Sequence, residues 1–296
     1  MHARAARSIE AMSSLFIVLW SSGYVVGALA LQVADPLPLL ESRFVLAALI
    51  TVPLVLARGR LGDVPVGRLA LVGLLLQVLQ FAGVYGGMAH GVPAGVSALV
   101  MLGLSPLVTT ALALRAGLEN GSRRRWAGLA IGAVGVFTGL LPELSSAHVG
   151  AGLGLTFVGL FGLAGGTVLQ KRVADGVDPF ASVAVQSVTA ALVLAPALAI
   201  LGGRVELGAH LVLSVAWIAA GMGVLTVLVL IRLLRETSAS HVGALLLLVP
   251  AVTALASGPV LGQPVRPLTL LGMAVAGVGV ATALSTSAGG RALSWR

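Results

Sequence analysis

Within long apolar stretches the sequence places a small set of side chains able to hold a polar or aromatic molecule. Gln77 and Gln80 lie three apart, a spacing that sets two helical side chains side by side on one face. Trp20 and Tyr24 lie four apart and share a face in the same way, and Ser97, Met101 and Ser105 form a four-residue ladder. Tyr85, Gln170, Gln186, Trp217, Thr226 and His241 extend the set. An amide turned to lipid is unfavourable, so these groups are expected to face the inside of a helical bundle. There they would line a mostly apolar cavity with a few polar groups, suited to an amphipathic or aromatic solute. Plainer uses exist: Trp and Tyr gather at membrane interfaces, and Ser and Thr bond their own backbone. The glutamines stand ahead of Tyr24 and Trp217 as lining candidates.

Arg43 is the charge set into an apolar stretch. A charge at the bilayer centre costs about 2.5–3.5 kcal/mol on insertion scales and less near an interface. Arg43 could act as a gate or meet a substrate carboxylate. The favoured expectation is structural: the side chain snorkels to the interface, with Glu41 or a helix end as partner. Glu119 lies among Arg115, Arg123, Arg124 and Arg125. It could pair with one of them to hold an inner gate shut or cap a helix start, although most such loop charges only solvate a turn. No Asp or Glu falls mid-stretch, and His90 and His241 sit near stretch ends, so uncoupled movement down a gradient fits at least as well as proton antiport. The chain has no Cys, which excludes disulfides, Cys-ligated zinc and iron–sulfur clusters. It has no HExxH, no phosphate-binding GxxxxGK[ST] and no GxSxG. An enzyme, a metal and a cofactor are therefore not expected.

The elements that must position these residues follow from composition. Of 296 residues, 58% are hydrophobic and 9% charged, too little charge to cover a water-facing surface. Apolar runs of roughly 20 residues suit membrane-spanning helices. Ten are expected, over 13–33, 37–57, 69–90, 93–115, 126–142, 150–170, 180–201, 211–232, 238–261 and 268–286. The net charge of +8 comes from arginines dispersed between apolar runs rather than clustered with aromatics, so it reads as topology and not as nucleic-acid binding. With ten spans both termini share a side with nearly all the Lys and Arg near span ends, leaving only Arg204 and Arg266 opposite. That asymmetry puts both termini in the cytoplasm.

The chain also repeats itself. LSPLVTTA at 104–111 is echoed by LVPAVTAL at 248–255, pairing Pro106 with Pro250 at a shift of 144. The same shift pairs Gly128 with Gly272, Gly135 with Gly279 and Glu119 with Gln263. A shift of 143 pairs Asp35-Pro36 with Asp178-Pro179, Pro53 with Pro196 and Arg43 with Gln186. Two five-helix repeats are expected, 1–144 and 145–296. Five being odd, the second enters the membrane upside-down, an architecture associated with secondary transporters. The fold class is thus an all-α integral membrane protein of ten helices in two inverted halves. Pro106 and Pro250 would each free a backbone carbonyl and serve as hinges, or as static kinks.

WSSGYVVGALAL, then PLPLLESRFVLAAL, a proline-centred helix closing on LENG, and WAGLAIGAVGV together resemble the EamA family of the drug/metabolite transporter superfamily, along essentially the whole chain. Gln263 departs from the pattern, standing where the family often has Glu. The resemblance implies ten helices, cytoplasmic termini and export of small metabolites, with a narrower likeness to YddG-type exporters of aromatic amino acids. The expected function is therefore alternating-access export of a small solute, a neutral or aromatic amino acid above all, from the cytoplasmic membrane. The expected partners are that solute and membrane lipid, in a monomer or weak homo-oligomer. Other solutes (drugs, nucleosides, sugar phosphates) and a membrane scaffold or sensor without flux are the alternatives.

Overall fold

The computed structural model describes residues 2–58, 64–115, 122–144, 149–173, 177–236 and 239–284. Among these the chain forms ten helical segments. They are α1 (His2–Ala30), α2 (Pro36–Ala57), α3, α4 (Ala94–Arg115), α5 (Arg123–Leu144), α6 (Val149–Val173), α7 (Pro179–Leu201), α8, α9 (Ala239–Leu261) and α10 (Pro267–Leu284). Helix α3 runs from Val66–Gly73 through a π-helical stretch, Leu74–Leu79, into Gln80–Ala89. Helix α8 does the same, from Ala209–Ala216 through Trp217–Leu225 into Thr226–Glu236. The two π-helical stretches start 143 residues apart, the offset that aligns Asp35-Pro36 with Asp178-Pro179.

Seven helices, the first seven in chain order, are long and apolar enough to cross a membrane. Ala209–Gly223, Leu245–Leu261 and Pro267–Ala283 are shorter apolar helices. The last turns of α8 carry Arg232 and Glu236, which pair with each other at 3.4 Å.

Helix starts follow from Asp-Pro. Proline at the first helical position gives up an N–H that has no intrahelical partner there anyway. Asp178 caps α7, its carboxylate accepting from the amides of Phe180 (2.9 Å) and Ala181 (3.3 Å). Asp35 holds the same place before α2 but does not cap it. Its carboxylate instead accepts from the Arg204 amide at 2.7 Å. Around that bond the turn after α1 and the turn after α7 are joined. The Asp35 amide donates to the Arg204 carbonyl (2.9 Å) and the Glu206 amide to the Val33 carbonyl (2.8 Å), forming an isolated antiparallel bridge between Ala34 and Val205. Arg204 also donates to the Gln32 carbonyl at 3.1 Å.

Helices α5 and α10 pack almost backbone to backbone. A Cβ at Gly128 would strike Ala283 and Gly279, one at Gly132 would approach Val280 and Ala276, one at Gly135 would strike Ala276 and Gly272, and one at Gly139 would approach Gly272. From the other side, Gly272 meets Gly139 and Gly135, and Gly279 meets Gly132 and Gly128. A shift of 144 turns most of these contacts into their own converses: Gly128 meets Ala283 as Gly139 meets Gly272. Small residues that let helix backbones approach are the usual basis of helix association in lipid. The same reciprocity runs through the bundle: α2 packs on α7 and α4 on α9, while α3 and α4 lie on α6 as α8 and α9 lie on α1. Pro106 and Pro250 sit inside the unbroken helices α4 and α9.

Candidate polar and aromatic cavity

The two π-helical stretches face one another across a cavity of about 330 Å³. A π-turn adds a residue to the helical repeat and re-aims the side chains around it, and such turns recur at functional sites. Here the α3 stretch contributes Leu76 and Gln77 to the cavity wall, with Gln80 just after it, and the α8 stretch contributes Ile218, Ala219, Met222 and Gly223. Thr226 follows on the wall and donates to the Gly221 carbonyl five residues back, at 3.0 Å. Helix α1 adds Trp20, α6 adds Thr167, and α7 adds Ser187. A contiguous recess of about 50 Å³ runs past Gly23, Tyr24 and Tyr85. Gly23 and Gly27 make this recess possible: a Cβ at Gly23 would collide with Met222, and one at Gly27 with the Tyr85 ring.

Arg43 belongs to this wall. Only 6% of it is exposed. Its guanidinium lies 3.7 Å from the centre of the Phe81 ring and 5.3 Å from that of Phe44, within the range where a cation is drawn to a ring face. It donates to the Tyr85 hydroxyl at 3.3 Å. Phe44, Phe81 and Tyr85 contact one another at 6.1 and 6.0 Å between ring centres, in the edge and tilted arrangements aromatic pairs favour. This corrects the expectation of a snorkelling Arg43 beside Glu41. Helix α2 turns the side chain inward, where two rings and a phenol receive it. No Asp or Glu lines the cavity among the described residues.

A chain of amides leads away from the cavity. Gln77 donates to Gln186 at 3.3 Å. Gln186 donates to Gln170 at 2.9 Å and to the Ser182 hydroxyl at 2.8 Å. Gln170 also donates to Ser182, at 3.3 Å. Gly73 lets α3 come close enough to α7 for this, since a Cβ there would press on the Gln186 backbone.

Of the residues expected at a binding site, Trp20, Gln77 and Gln80 line the main cavity, and Tyr24 and Tyr85 its recess. Gln170 stands behind the wall in the amide chain. Ser97 and Met101 are fully buried away from the cavity, and the Ser97 hydroxyl has no hydrogen-bond partner among the described residues. Trp217 is 40% exposed and turns from the cavity to donate its indole N–H to Ser22 at 2.8 Å. Glu119 and the His241 side chain lie outside the described residues. Gln263, the counterpart of Glu119, accepts from the Ala94 amide at 3.0 Å and so caps α4, a task that needs no charge. Sequence reasoning missed Phe44, Phe81 and Met222. Phe81 was within reach: Gln77, Phe81 and Tyr85 recur every four residues and share a helix face.

Residues 150–285 match the EamA-like transporter family. Over 163 residues, 55% of this chain and 53% of the other, the chain is 31% identical to the "Probable amino-acid metabolite efflux pump" of Salmonella typhimurium. Over 169 residues, 57% of this chain and 55% of the other, it is 29% identical to the protein of the same description in Escherichia coli K12. The matches thus span about half the length of these curated relatives. A solved protein crystal structure resembles the whole fold with a TM-score of 0.64 at 18% identity, over 95% of this chain and 98% of that one.

Proposed function

From the premise that this is a multi-pass membrane protein with an EamA-like transporter domain in residues 150–285, we propose that it exports small metabolites by alternating access. Ten membrane helices would form two inverted halves, with both termini in the cytoplasm. The observation that carries this reading is the cavity of about 330 Å³ walled by the π-helical stretches of α3 and α8. Its size falls at the lower end of the roughly 300–1,000 Å³ common for small-molecule sites, and its few polar groups on an apolar wall fit that pattern. The reciprocal contacts of α5 with α10 support a pseudo-twofold relation between the halves, and transporters built that way bind substrate between the repeats.

Leu163, Thr167, Val183, Ser187, Gly223, Thr226 and Leu230 of the wall sit on the parts of α6, α7 and α8 nearest the loops joining α6 to α7 and α8 to α9. The opposite end holds Tyr85 and the joined turns at Asp35 and Arg204. The arrangement thus fits a carrier open towards the side of its termini. The relatives' description as amino-acid metabolite efflux pumps supports amino acids and their derivatives as cargo, with aromatic members suited to Trp20, Phe44 and Phe81. Purified protein in liposomes, loaded with a panel of labelled amino acids, tests this. Saturable efflux that competing solute abolishes is expected. Folded protein with no saturable flux of any tested metabolite would overturn the proposal.

A further inference from the structure

Resting on that reading of the cavity as the solute site, we infer that it recognises a carboxylate and lacks any counterpart for an ammonium. Its solutes are therefore monocarboxylates with an aromatic or branched apolar tail, and the α-amino group is dispensable. Arg43 is the only charged side chain on the wall among the described residues. Its guanidinium is stacked on Phe81 and spends a single hydrogen bond on Tyr85. An arginine carries five N–H donors in a planar fork that matches a carboxylate, so donors remain on the cavity side. No described acid neutralises this buried charge, and a monoanion entering the cavity supplies the missing partner.

An ammonium finds the reverse. The wall offers it amide and hydroxyl oxygens from Gln77, Gln80, Ser187 and Thr226, but no anion. The Phe81 face that could attract it already holds Arg43, whose like charge repels it. A zwitterionic amino acid would thus gain at one end and lose at the other. Deaminated or N-acylated versions of the same skeleton would keep only the gain.

The test is binding to detergent-purified protein, read by Trp fluorescence and by microcalorimetry, with 3-phenylpropanoate, phenylalanine and 2-phenylethylamine as a matched set. The expected order is the acid at least tenfold tighter than phenylalanine, with the amine weakest. Phenylalanine binding as tightly as the acid, or the amine binding best, would overturn the inference with no variant needed. Arg43→Gln should abolish the advantage of the acid, whereas Tyr85→Phe, which keeps the charge, should preserve it. If Arg43→Gln does not fold, Arg43→Lys takes its place and should retain the order with reduced affinity. Acid binding without flux in liposomes would defeat the transport reading and leave this inference standing. Amino acid flux that 3-phenylpropanoate does not compete with would defeat the inference and leave transport standing.

Discussion

Gln186 is the joint of the amide chain, bonded at once to Gln77, Gln170 and Ser182. Interhelical hydrogen bonds of this kind contribute about 0.6 kcal/mol on average and up to about 1.7 in membranes. Gln186→Leu removes two of them, with the bond to Ser182 inside α7 as well, and leaves amide groups unpaired between α3, α6 and α7. We expect a loss of about 1–2 kcal/mol, since the freed groups find other partners in part. Thermal unfolding in detergent should show a midpoint lower by several degrees, and an unchanged midpoint would mean the chain bears no weight. In the sequence, Gln77, Gln80 and Gln186 stood out because an amide in an apolar run is conspicuous. Phe44 and Phe81 did not, because a ring there looks like any other core residue. Arg43 was visible but misdirected: its inward turn depends on rings from another helix, which no local pattern reveals.

At the scale of helices, the π-helical stretches decide where the cavity lies, and nothing in Leu74–Leu79 or Trp217–Leu225 announces them. A π-turn arises from how a helix is packed, so propensity and hydrophobic period remain silent about it. The glycine faces of α5 and α10 were, by contrast, partly legible at Gly128 and Gly135. Gly135→Leu would drive a side chain into the α10 backbone at Ala276 and Gly272. Overpacking of this kind costs about 1–3 kcal/mol where neighbours can shift, and a helix backbone shifts little. The variant should give sharply reduced monodisperse protein on size exclusion. Gly277→Ala, where an added Cβ meets nothing within 4 Å, should behave as wild type. For the proline-bearing helices, a hinge at Pro250 predicts that Pro250→Ala folds normally but exports several-fold more slowly in liposomes. Equal rates would reduce the proline to a fixed bend.

At the scale of the whole molecule, the 144-residue echo in the sequence has its physical counterpart in contacts that map onto their own converses. The echo itself was readable because the 13 prolines are scarce enough for their alignment to count. The cavity was not, since it forms from six helices brought together by packing. The cysteine-free chain allows a direct probe. With a membrane-impermeant maleimide, Gln77→Cys should label from the side of the termini and be shielded by solute, while Ser97→Cys should stay unlabelled. The reverse pattern would place the cavity elsewhere. The joined turns at the far mouth carry a last consequence. Exposing the cavity to that compartment means unfastening the Ala34–Val205 bridge together with the Asp35 bonds. Each is worth about 0.5–1.5 kcal/mol net of the water that replaces it. In the proposed alternating-access cycle these bonds would latch that mouth, and releasing them would set the pace of each stroke. Asp35→Asn, which weakens the catch and leaves the backbone bridge intact, should quicken solute exit and leave affinity at the inner opening unaltered.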